Sequence, residues 1–143
     1  MKIIPFVLAT ICFTAQADEL LFTTFSIHSH RDYTANGMQY NDVNLGFGYK
    51  LDNGFFAGDY LNSYNRNSFL VGKEFMFTKH FGAVAYGATG YGPEMGHKVI
   101  GAGGFEYKIP LGDWSANLVG IPPIGKTSGV INLNFSYDLK GEK

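Results

Sequence analysis

The chain has 143 residues, of which 45% are hydrophobic, 16% aromatic and 16% charged, and its formal net charge is −1. This length suits one domain, and the near-neutral charge excludes nucleic-acid binding that depends on bulk positive charge. A single cysteine excludes an internal disulfide framework and a four-cysteine zinc site, and the sequence has no run of about 18 apolar residues that would predict a helical membrane span.

The first seventeen residues have the features of a secretory signal peptide. Lys2 supplies a short positive region, residues 3–13 form an apolar run, and Ala15-Gln16-Ala17 is a small-x-small cleavage site. Cys12 lies inside this segment and follows Ile11, which is too large for the usual lipoprotein cleavage box. We therefore predict a cleaved signal peptide over 1–17 and a single domain over 18–143. A signal of this form before a cysteine-free body indicates a Gram-negative envelope.

The rest of the sequence alternates between apolar and polar or small residues. In residues 43–51 and 131–139 every second residue is large and apolar, and Gly, Asn, Ser, Asp or Lys lie between them. A strand places successive side chains on opposite faces, so each segment has one apolar face and one polar face. In the first segment, Leu21, Thr23, Phe25 and Ile27 alternate with Phe22, Thr24, Ser26 and His28. With turn residues between segments, the pattern predicts eight strands of about ten residues: 21–28, 43–51, 54–62, 68–78, 81–91, 98–108, 113–121 and 131–139.

Two architectures accommodate eight such strands. A soluble lipocalin-like barrel is apolar inside, whereas an outer-membrane barrel is apolar outside and carries aromatic girdles. The signal peptide, the aromatic content and the strand length of about 9–11 residues needed to cross a bilayer favour the second. We therefore predict an all-β fold, an eight-stranded antiparallel up-and-down transmembrane β-barrel with a narrow polar lumen. Bulges near Gly58 or Gly87 would exchange the two faces of a strand.

Residues 120–127 match the phosphate-loop pattern G-x-x-x-x-G-K-[ST]. That mechanism requires a helix after the loop, whose N-terminus holds the phosphates. Here the residues from Ser128 onward alternate as a strand, and Pro122 and Pro123 remove two backbone amides. We interpret the segment as a strand end and turn rather than a nucleotide site.

The histidines suggest either a metal site or catalysis. His28, His30 and Asp32 occupy alternate positions, so they share a face if the first strand extends that far. Imidazoles bind zinc, but no third ligand is evident, and His80 and His97 are distant in the sequence. We expect neither a metal nor a cofactor. From the residues alone, His28 is either a lumen or surface histidine without a special role or a catalytic group.

Taken in order, several short motifs resemble the outer-membrane lipid A palmitoyltransferase (PagP) family. That family has a histidine late in its first strand, a Tyr-Asn-acidic segment, a Gly-rich alternating strand, an Asp-Ser-aromatic-Asn segment and an Ile-Pro before its last strand. The corresponding residues are His28, Tyr40-Asn41-Asp42, Gly46-Phe47-Gly48, Asn62-Ser63-Tyr64-Asn65 and Ile121-Pro122. Each motif is short, and their order is maintained over residues 22–139.

The resemblance implies a barrel whose lumen binds an acyl chain and which moves that chain from a phospholipid to lipid A. It implies that His28, with His30 as the alternative, acts as general base and then acid, and that Ser63 is its polar or nucleophilic partner. Asn62 stands where the family has an aspartate, and an amide can neither take a proton nor carry charge. Three alternatives follow: Asn62 orients groups by hydrogen bonding, another acid such as Asp59 or Asp32 substitutes, or the chain is not an active transferase.

The resemblance also gives four further positions. Tyr64 and Arg66 would position the ester or stabilise the oxyanion. Gly72 lies in the strand that holds the family's chain-length glycine, and Pro122 would open one lateral gate for lipid. Beside Gly72, a buried Glu74 would need an ion pair with Lys50 or Lys73.

Three functions are compatible with these patterns. The first is transfer of a palmitoyl-type chain from phospholipid to lipid A, and the second is a non-enzymatic small outer-membrane barrel for surface interaction or envelope integrity. The third, lipid A deacylation, would place histidine near the C-terminal strands, and residues 113–139 contain none. The expected partners are phospholipid and lipid A or lipopolysaccharide, without nucleic acid, for a monomer in the bacterial outer membrane.

Overall fold

A computed structural model describes residues 18–30, 39–92, 98–123 and 128–140. The predicted signal peptide over 1–17, Asp32 and His97 lie outside these residues. Among the described residues, no helix is long and apolar enough to cross a membrane. Eight strands are present, β1 Glu19–His28, β2 Val43–Lys50, β3 Phe55–Leu61, β4 Asn67–Met76, β5 Phe81–Thr89, β6 Val99–Leu111, β7 Trp114–Ile121 and β8 Val130–Asp138.

The eight strands form one closed barrel in which each strand pairs antiparallel with its neighbours in the sequence. β1 pairs with β8, from Glu19 opposite Asp138 to His28 opposite Val130, and this pairing closes the sheet. The predicted all-β, eight-stranded antiparallel up-and-down barrel is confirmed. Closure gives every strand two hydrogen-bonded neighbours, which satisfies the backbone without exposing a sheet edge.

β6 is longer than the sequence pattern predicts. It spans 13 residues, whereas the expected strand ends near residue 108. Leu111 pairs with Trp114 across a two-residue turn, and Gly112 in that turn has a φ of 73°. A type II′ hairpin turn requires positive φ at its first position, which glycine adopts easily. The turn is therefore tighter than the sequence indicates, and residues up to Leu111 join the ladder.

The two ends of the barrel differ. We call one end the turn end; it holds the connections 51–54, 77–80 and 112–113, the start of β1 and the end of β8. The opposite end, the loop end, holds the connections 29–42, 62–66, 90–98 and 122–129. Each of these four connections is longer than any connection at the turn end.

The barrel is polar inside and apolar outside. In the described part of the chain only Val84, Ala88 and Val119 are buried hydrophobic residues. Most of the buried residues are polar or charged, namely Ser26, Asn44, Lys50, Asn62, Ser68, Glu106, Asn117, Ser128 and Ser136. Large apolar side chains cover the outside, among them Ile27, Leu45, Phe69, Val71, Val99, Phe105 and Ile131. This distribution is the reverse of that in water-soluble domains.

A β-bulge at Thr24 decides which side chains of β1 face the lumen. The register of β1 against both β2 and β8 shifts between Thr23 and Phe25. Before the bulge, the Thr23 hydroxyl donates to the carbonyl of inward-facing Asn44 at 2.6 Å. After the bulge, Ser26 is buried and Phe25 is exposed.

The prediction that Leu21, Thr23, Phe25 and Ile27 share one face is therefore wrong. An inserted residue reverses the alternation, so Leu21 and Thr23 face inward whereas Phe25 and Ile27 face outward. His28 then faces the lumen. Near Gly58 and Gly87, where the sequence suggested bulges, the pairing is continuous.

Candidate functional site

His28, the last residue of β1, lies at the loop end of the lumen. Its side chain is 4% exposed, and its ring stacks on Tyr40 with centroids 4.1 Å apart and planes at 7°. Its Nδ1 lies 3.6 Å from Oδ1 of Asp42 and has no hydrogen-bond partner among the described residues. A carboxylate beside Nδ1 can orient an imidazole and stabilise its protonated form. We call His28, Tyr40 and Asp42 the mouth site.

A row of tyrosines extends from the mouth site across the loop end. Tyr64 packs edge-on against Tyr40 and against Tyr91, with centroids 5.5 Å apart in both pairs. The hydroxyls of Tyr91 and Tyr60 are 2.6 Å apart. Burial raises the pKa of the Tyr91 hydroxyl, so it stays protonated and can donate a hydrogen bond. The structure thus brings Tyr64 beside the mouth site, one ring away from His28.

Asn62 is fully buried in the connection between β3 and β4. Its Oδ1 accepts hydrogen bonds from the backbone N–H groups of Tyr64 and Arg66 at 2.9 and 3.0 Å. Its Nδ2 donates to the Ser68 hydroxyl at 2.9 Å and to the Gly90 carbonyl at 3.1 Å. These four bonds use both amide protons and both acceptor positions. The Asn62 side chain therefore organises this turn and has no hydrogen-bonding capacity left for a substrate.

Replacing Asn62 with Ala is expected to lower the free energy of unfolding by about 2–4 kcal/mol. Each lost hydrogen bond contributes about 0.5–1.5 kcal/mol, and the buried groups that Asn62 contacts are left without a hydrogen-bond partner. Unfolding in urea in detergent micelles, followed by circular dichroism, measures this change. Asn65→Gly in the same turn is the matched control. Asn65 has a φ of 58°, which glycine adopts readily, so its replacement should have little effect. Equal stability of Asn62→Ala and the wild type would contradict the assigned role.

Ser63 lies in the same connection as Asn62. Its carbonyl accepts a hydrogen bond from the Asn41 N–H at 2.7 Å, which joins this connection to the segment that carries Tyr40 and Asp42. Among the described residues, no hydrogen bond links Ser63 to His28. The Arg66 N–H donates to Asn62, as described above.

Asp59 cannot assist His28. It lies opposite Phe47 on β2 and Phe69 on β4, on the outward face, whereas its neighbour Tyr60 faces the lumen. Asp32, the other acid suggested by the sequence, lies outside the described residues. Asp42 is the carboxylate that the structure places beside the imidazole.

His30 lies beyond the end of β1, so the condition under which it would share a strand face with His28, a first strand that extends that far, is not met. Strand pairing stops at His28, because the chain then turns toward Ser128. The His30 N–H donates to the Ser128 hydroxyl at 3.0 Å, and its Nδ1 lies 3.1 Å from the Ser29 hydroxyl. The described ranges contain no group of three or more His, Cys, Asp or Glu residues that could hold a metal ion.

Pro122 follows the last paired residue of β7. The β7–β8 ladder continues to Ile121 opposite Val130, so Pro122 lies at the rim of the barrel, above the paired wall. An opening at this proline would therefore separate β7 from β8 at the rim of the barrel and not in the middle of the wall.

Below the mouth site the lumen contains a cavity of about 170 Å³. Its apolar lining includes Leu21, Phe56, Leu70, Val84 and Val119, and its polar lining includes Asn44, Glu74, Glu106, Asn117, Asn132 and Asn134. Gly72 does not line this cavity, because the Phe56 ring covers it; an added Cβ at Gly72 would lie 2.6 Å from Cζ of Phe56. A barrel of eight strands has room in its lumen for one slender ligand.

Charged side chains close the turn end of the lumen. Lys50 Nζ lies 3.0 Å from Glu19 and also pairs with Glu74, which settles the alternative between Lys50 and Lys73. Lys108 Nζ lies 2.9 Å from both carboxylate oxygens of Glu19. Glu106 is buried beside them. We call Glu19, Lys50, Glu74, Glu106 and Lys108 the charged floor.

Lys73 faces outward. Its Nζ lies 4.6 Å from the ring centroid of Phe55 and 5.3 Å from that of Phe75, at the turn end of the outer surface.

The interpretation of the sequence assigned no role to Asp42 as a partner for His28 or to Lys108 and Glu106. One signal was available for the floor. Lys50 occupies a polar-face position of a strand, and in a closed barrel every such charged position must find an opposite charge inside. No comparable signal exists for Asp42, because its proximity to His28 depends on the course of a connection.

These features define a closed eight-stranded β-barrel with an apolar exterior, a buried histidine beside a solvent-exposed carboxylate at one end of its lumen and an ion-pair network at the other. No protein-family model matches the chain, and no curated protein matches it either. Its function is therefore inferred from the mouth site, the cavity and the charged floor.

Proposed function

We propose that the chain is an outer-membrane β-barrel. The support is its reversed polarity, because apolar side chains such as Val71 and Ile131 face outward while Lys50 and Glu106 are buried. An apolar exterior around a polar interior is the distribution that a bilayer requires of a barrel. The tight turns lie at the same end as the start of β1 and the end of β8, and the longer loops lie at the other end. This arrangement matches the periplasmic and extracellular ends of such barrels.

Aromatic residues near the turn end support the same proposal. Exposed aromatic side chains occur there, namely Phe55, Phe75, Phe81, Tyr107 and Trp114 on the strands and Phe77 directly after β4. Trp114 and Tyr137 pack against each other with centroids 5.0 Å apart. Tyr and Trp rings gather at the membrane–water interface, because each combines an apolar body with a polar group, and girdles of aromatic residues flank the apolar band of such barrels. We therefore assign the turn end to the periplasmic interface.

A charged substitution on the outer face tests the membrane proposal. Val71→Arg, in the middle of β4, is expected to lower the free energy of unfolding in phospholipid bilayers by about 2–4 kcal/mol, because the bilayer core disfavours the charge. Reversible unfolding in guanidinium measures this loss. Asp113→Arg places the same side chain in the 112–113 turn and should leave stability nearly unchanged. A water-soluble barrel would instead tolerate both substitutions within about 0.5 kcal/mol.

We propose further that the barrel transfers a fatty acyl chain of palmitoyl type from phospholipid to lipid A. The observation that carries this proposal is the mouth site, a buried imidazole with a carboxylate 3.6 Å from Nδ1 above an apolar cavity. Hydrogen bonds between catalytic groups are commonly longer than about 3.2 Å before substrate binds. The cavity would hold the acyl chain, with its ester near His28.

The proposed reaction moves one proton in each direction. The free ring nitrogen of His28, Nε2, takes the proton of a lipid A hydroxyl, whose oxygen attacks the ester carbonyl of the phospholipid. The bond between the acyl carbon and the glycerol oxygen then breaks, and the imidazolium returns its proton to that oxygen. Asp42 stabilises the imidazolium between these steps. Tyr64 packs beside Tyr40, which stacks on His28, and so would help to hold the imidazole in place.

Lipid A composition tests acyl transfer directly. The protein is expressed in a Gram-negative host that lacks its own lipid A palmitoyltransferase, and lipid A is analysed by mass spectrometry. We expect a species heavier by one acyl group. An unchanged spectrum, with the protein folded in the outer membrane, would overturn acyl transfer to lipid A in that host.

A non-enzymatic small outer-membrane barrel for surface interaction or envelope integrity is the second candidate. The observation that favours it is the state of Asn62, whose four hydrogen bonds are all used within the barrel. In this case the tyrosine row and the mouth site would stabilise the loop end. Unchanged lipid A together with loss of envelope integrity in a deletion strain would support this function.

A further inference from the structure

We propose that the luminal cavity binds a single-chain amphiphile through a primary ammonium group seated between Glu106 and Asn117. Both residues line the cavity and are at least nine-tenths buried, with exposures of 5% and 4%. Glu106 Oε2 and Asn117 Oδ1 are hydrogen-bond acceptors without a partner among the described residues. Two buried acceptors that face one cavity favour a bound hydrogen-bond donor between them, because an unsatisfied buried polar atom is costly.

The strand register brings these two acceptors together. Glu106 on β6 pairs with Val119 on β7, and Asn117 lies two residues from Val119 on the same inward face. The two side chains are therefore diagonal neighbours across one strand pair. Asn117 Nδ2 donates a hydrogen bond to the Ser136 hydroxyl at 3.2 Å. This bond uses the donor side of the amide and leaves Oδ1 as an acceptor.

The charges of the floor indicate a cationic donor. The charged floor contains three carboxylates and two ammonium groups. Lys50 pairs with Glu19 and Glu74, and Lys108 pairs with Glu19, whereas no ion pair holds Glu106 within the described part of the chain. One additional ammonium group at Glu106 would balance the floor. Repulsion from the two lysines is limited, because both are already paired with carboxylates.

The cavity above Glu106 suits an alkyl chain. Leu21, Leu70, Val84 and Val119 supply apolar contacts, and the Tyr86 ring borders the same space. A linear chain would extend from the charged floor toward the mouth site, with its ammonium group at the floor. This inference concerns the cavity alone and does not depend on acyl transfer.

Binding of n-octylamine tests the proposal. The full-length folded barrel is placed in phosphatidylcholine nanodiscs at neutral pH, where octylamine is protonated, and n-octanol is the uncharged comparison. Perturbation of the Glu106 and Asn117 amide signals by nuclear magnetic resonance gives each affinity. We expect octylammonium to bind at least about tenfold more tightly than octanol, and Glu106→Gln to remove that preference. Asp113→Asn, outside the lumen, should leave both affinities unchanged.

Two results would overturn the proposal: equal affinities for octylamine and octanol in the wild type, or an unchanged octylamine preference in Glu106→Gln. If Glu106→Gln fails to fold, Asn117→Asp provides a second test, because it adds a carboxylate and should tighten octylammonium binding. A decrease or no change in that variant would count against the proposal. Because no lipid A is present, failure of acyl transfer would not affect either result.

Discussion

Replacing His28 with Ala is expected to reduce acyl transfer to lipid A by about 10²–10⁴-fold, the usual contribution of a general base. The barrel should remain folded, because His28 is the last residue of β1 and its Nδ1 has no hydrogen-bond partner among the described residues. The measurement is the rate at which the acylated lipid A species accumulates in purified membranes. Heat-modifiable migration on SDS gels checks that the variant barrel has folded.

Two further variants make this result specific. Asp42→Asn should reduce the rate less than His28→Ala does, because it removes the charge that stabilises the imidazolium but keeps the base. His80→Ala is the matched control, since His80 lies at the turn end, where its Nδ1 is 3.1 Å from the Lys108 carbonyl. Activity that survives in His28→Ala would remove this histidine from the mechanism and leave Ser63 as the group to examine.

Replacing Lys50 with Met is expected to destabilise the barrel by about 3–5 kcal/mol. Lys50 is the partner of both Glu19 and Glu74, and its side chain is 7% exposed. Removing one member of a buried ion pair leaves an uncompensated charge, and its cost exceeds that of removing the whole pair. The measurement is the free energy of unfolding in urea, with the protein in phospholipid vesicles.

The double variant Lys50→Met/Glu74→Leu separates charge from packing. It should recover part of the lost stability, because it removes the Glu74 carboxylate together with its partner. Lys73→Met is the matched control. Lys73 is next to Glu74 on β4 but faces outward against Phe55 and Phe75, so its replacement should change the free energy of unfolding little. A Lys50→Met protein as stable as the wild type would show that Glu19 and Glu74 are protonated or hydrated in the native barrel.

The charged floor also limits what an acyl chain in the lumen can do. A chain whose ester lies near His28 would direct its methyl end toward Glu106 and Asn117. Contact between hydrocarbon and an unpaired buried carboxylate is unfavourable by several kcal/mol. The proposed transferase should therefore favour chains that end above this level. Measuring which chain lengths appear on lipid A would define that limit.

The fold could be predicted largely from local pattern. Alternation in segments such as 43–51 and 131–139 indicates strands with one apolar face, and eight such strands with turn residues between them indicate a barrel. The pattern fails at Gly112, because a two-residue turn extends the ladder beyond the expected strand end. It also fails at Thr24, where a bulge reverses the faces of β1 although no residue type in this segment predicts a bulge.

The site was less predictable for the same reason. His28 and Ser63 stand out as residue types capable of chemistry, but the side chains around them come from other connections and strands. Asp42 lies directly before β2 at the loop end, where its Oδ1 is 3.6 Å from Nδ1 of His28. Asn62 stands where the resembled family has an aspartate, and its four hydrogen bonds, which the sequence does not reveal, place it in a turn.

The sequence by itself therefore determined the strands, their number and the apolar character of one face of each, because these depend on side chains two residues apart. The sequence also favoured apolar faces on the outside, and the exposed apolar side chains agree. Only the tertiary structure decided that His28 faces the lumen and that Lys50, rather than Lys73, pairs with Glu74. Those outcomes depend on barrel closure and on register across strands distant in sequence. A single bulge or shifted pair changes them without changing the local pattern.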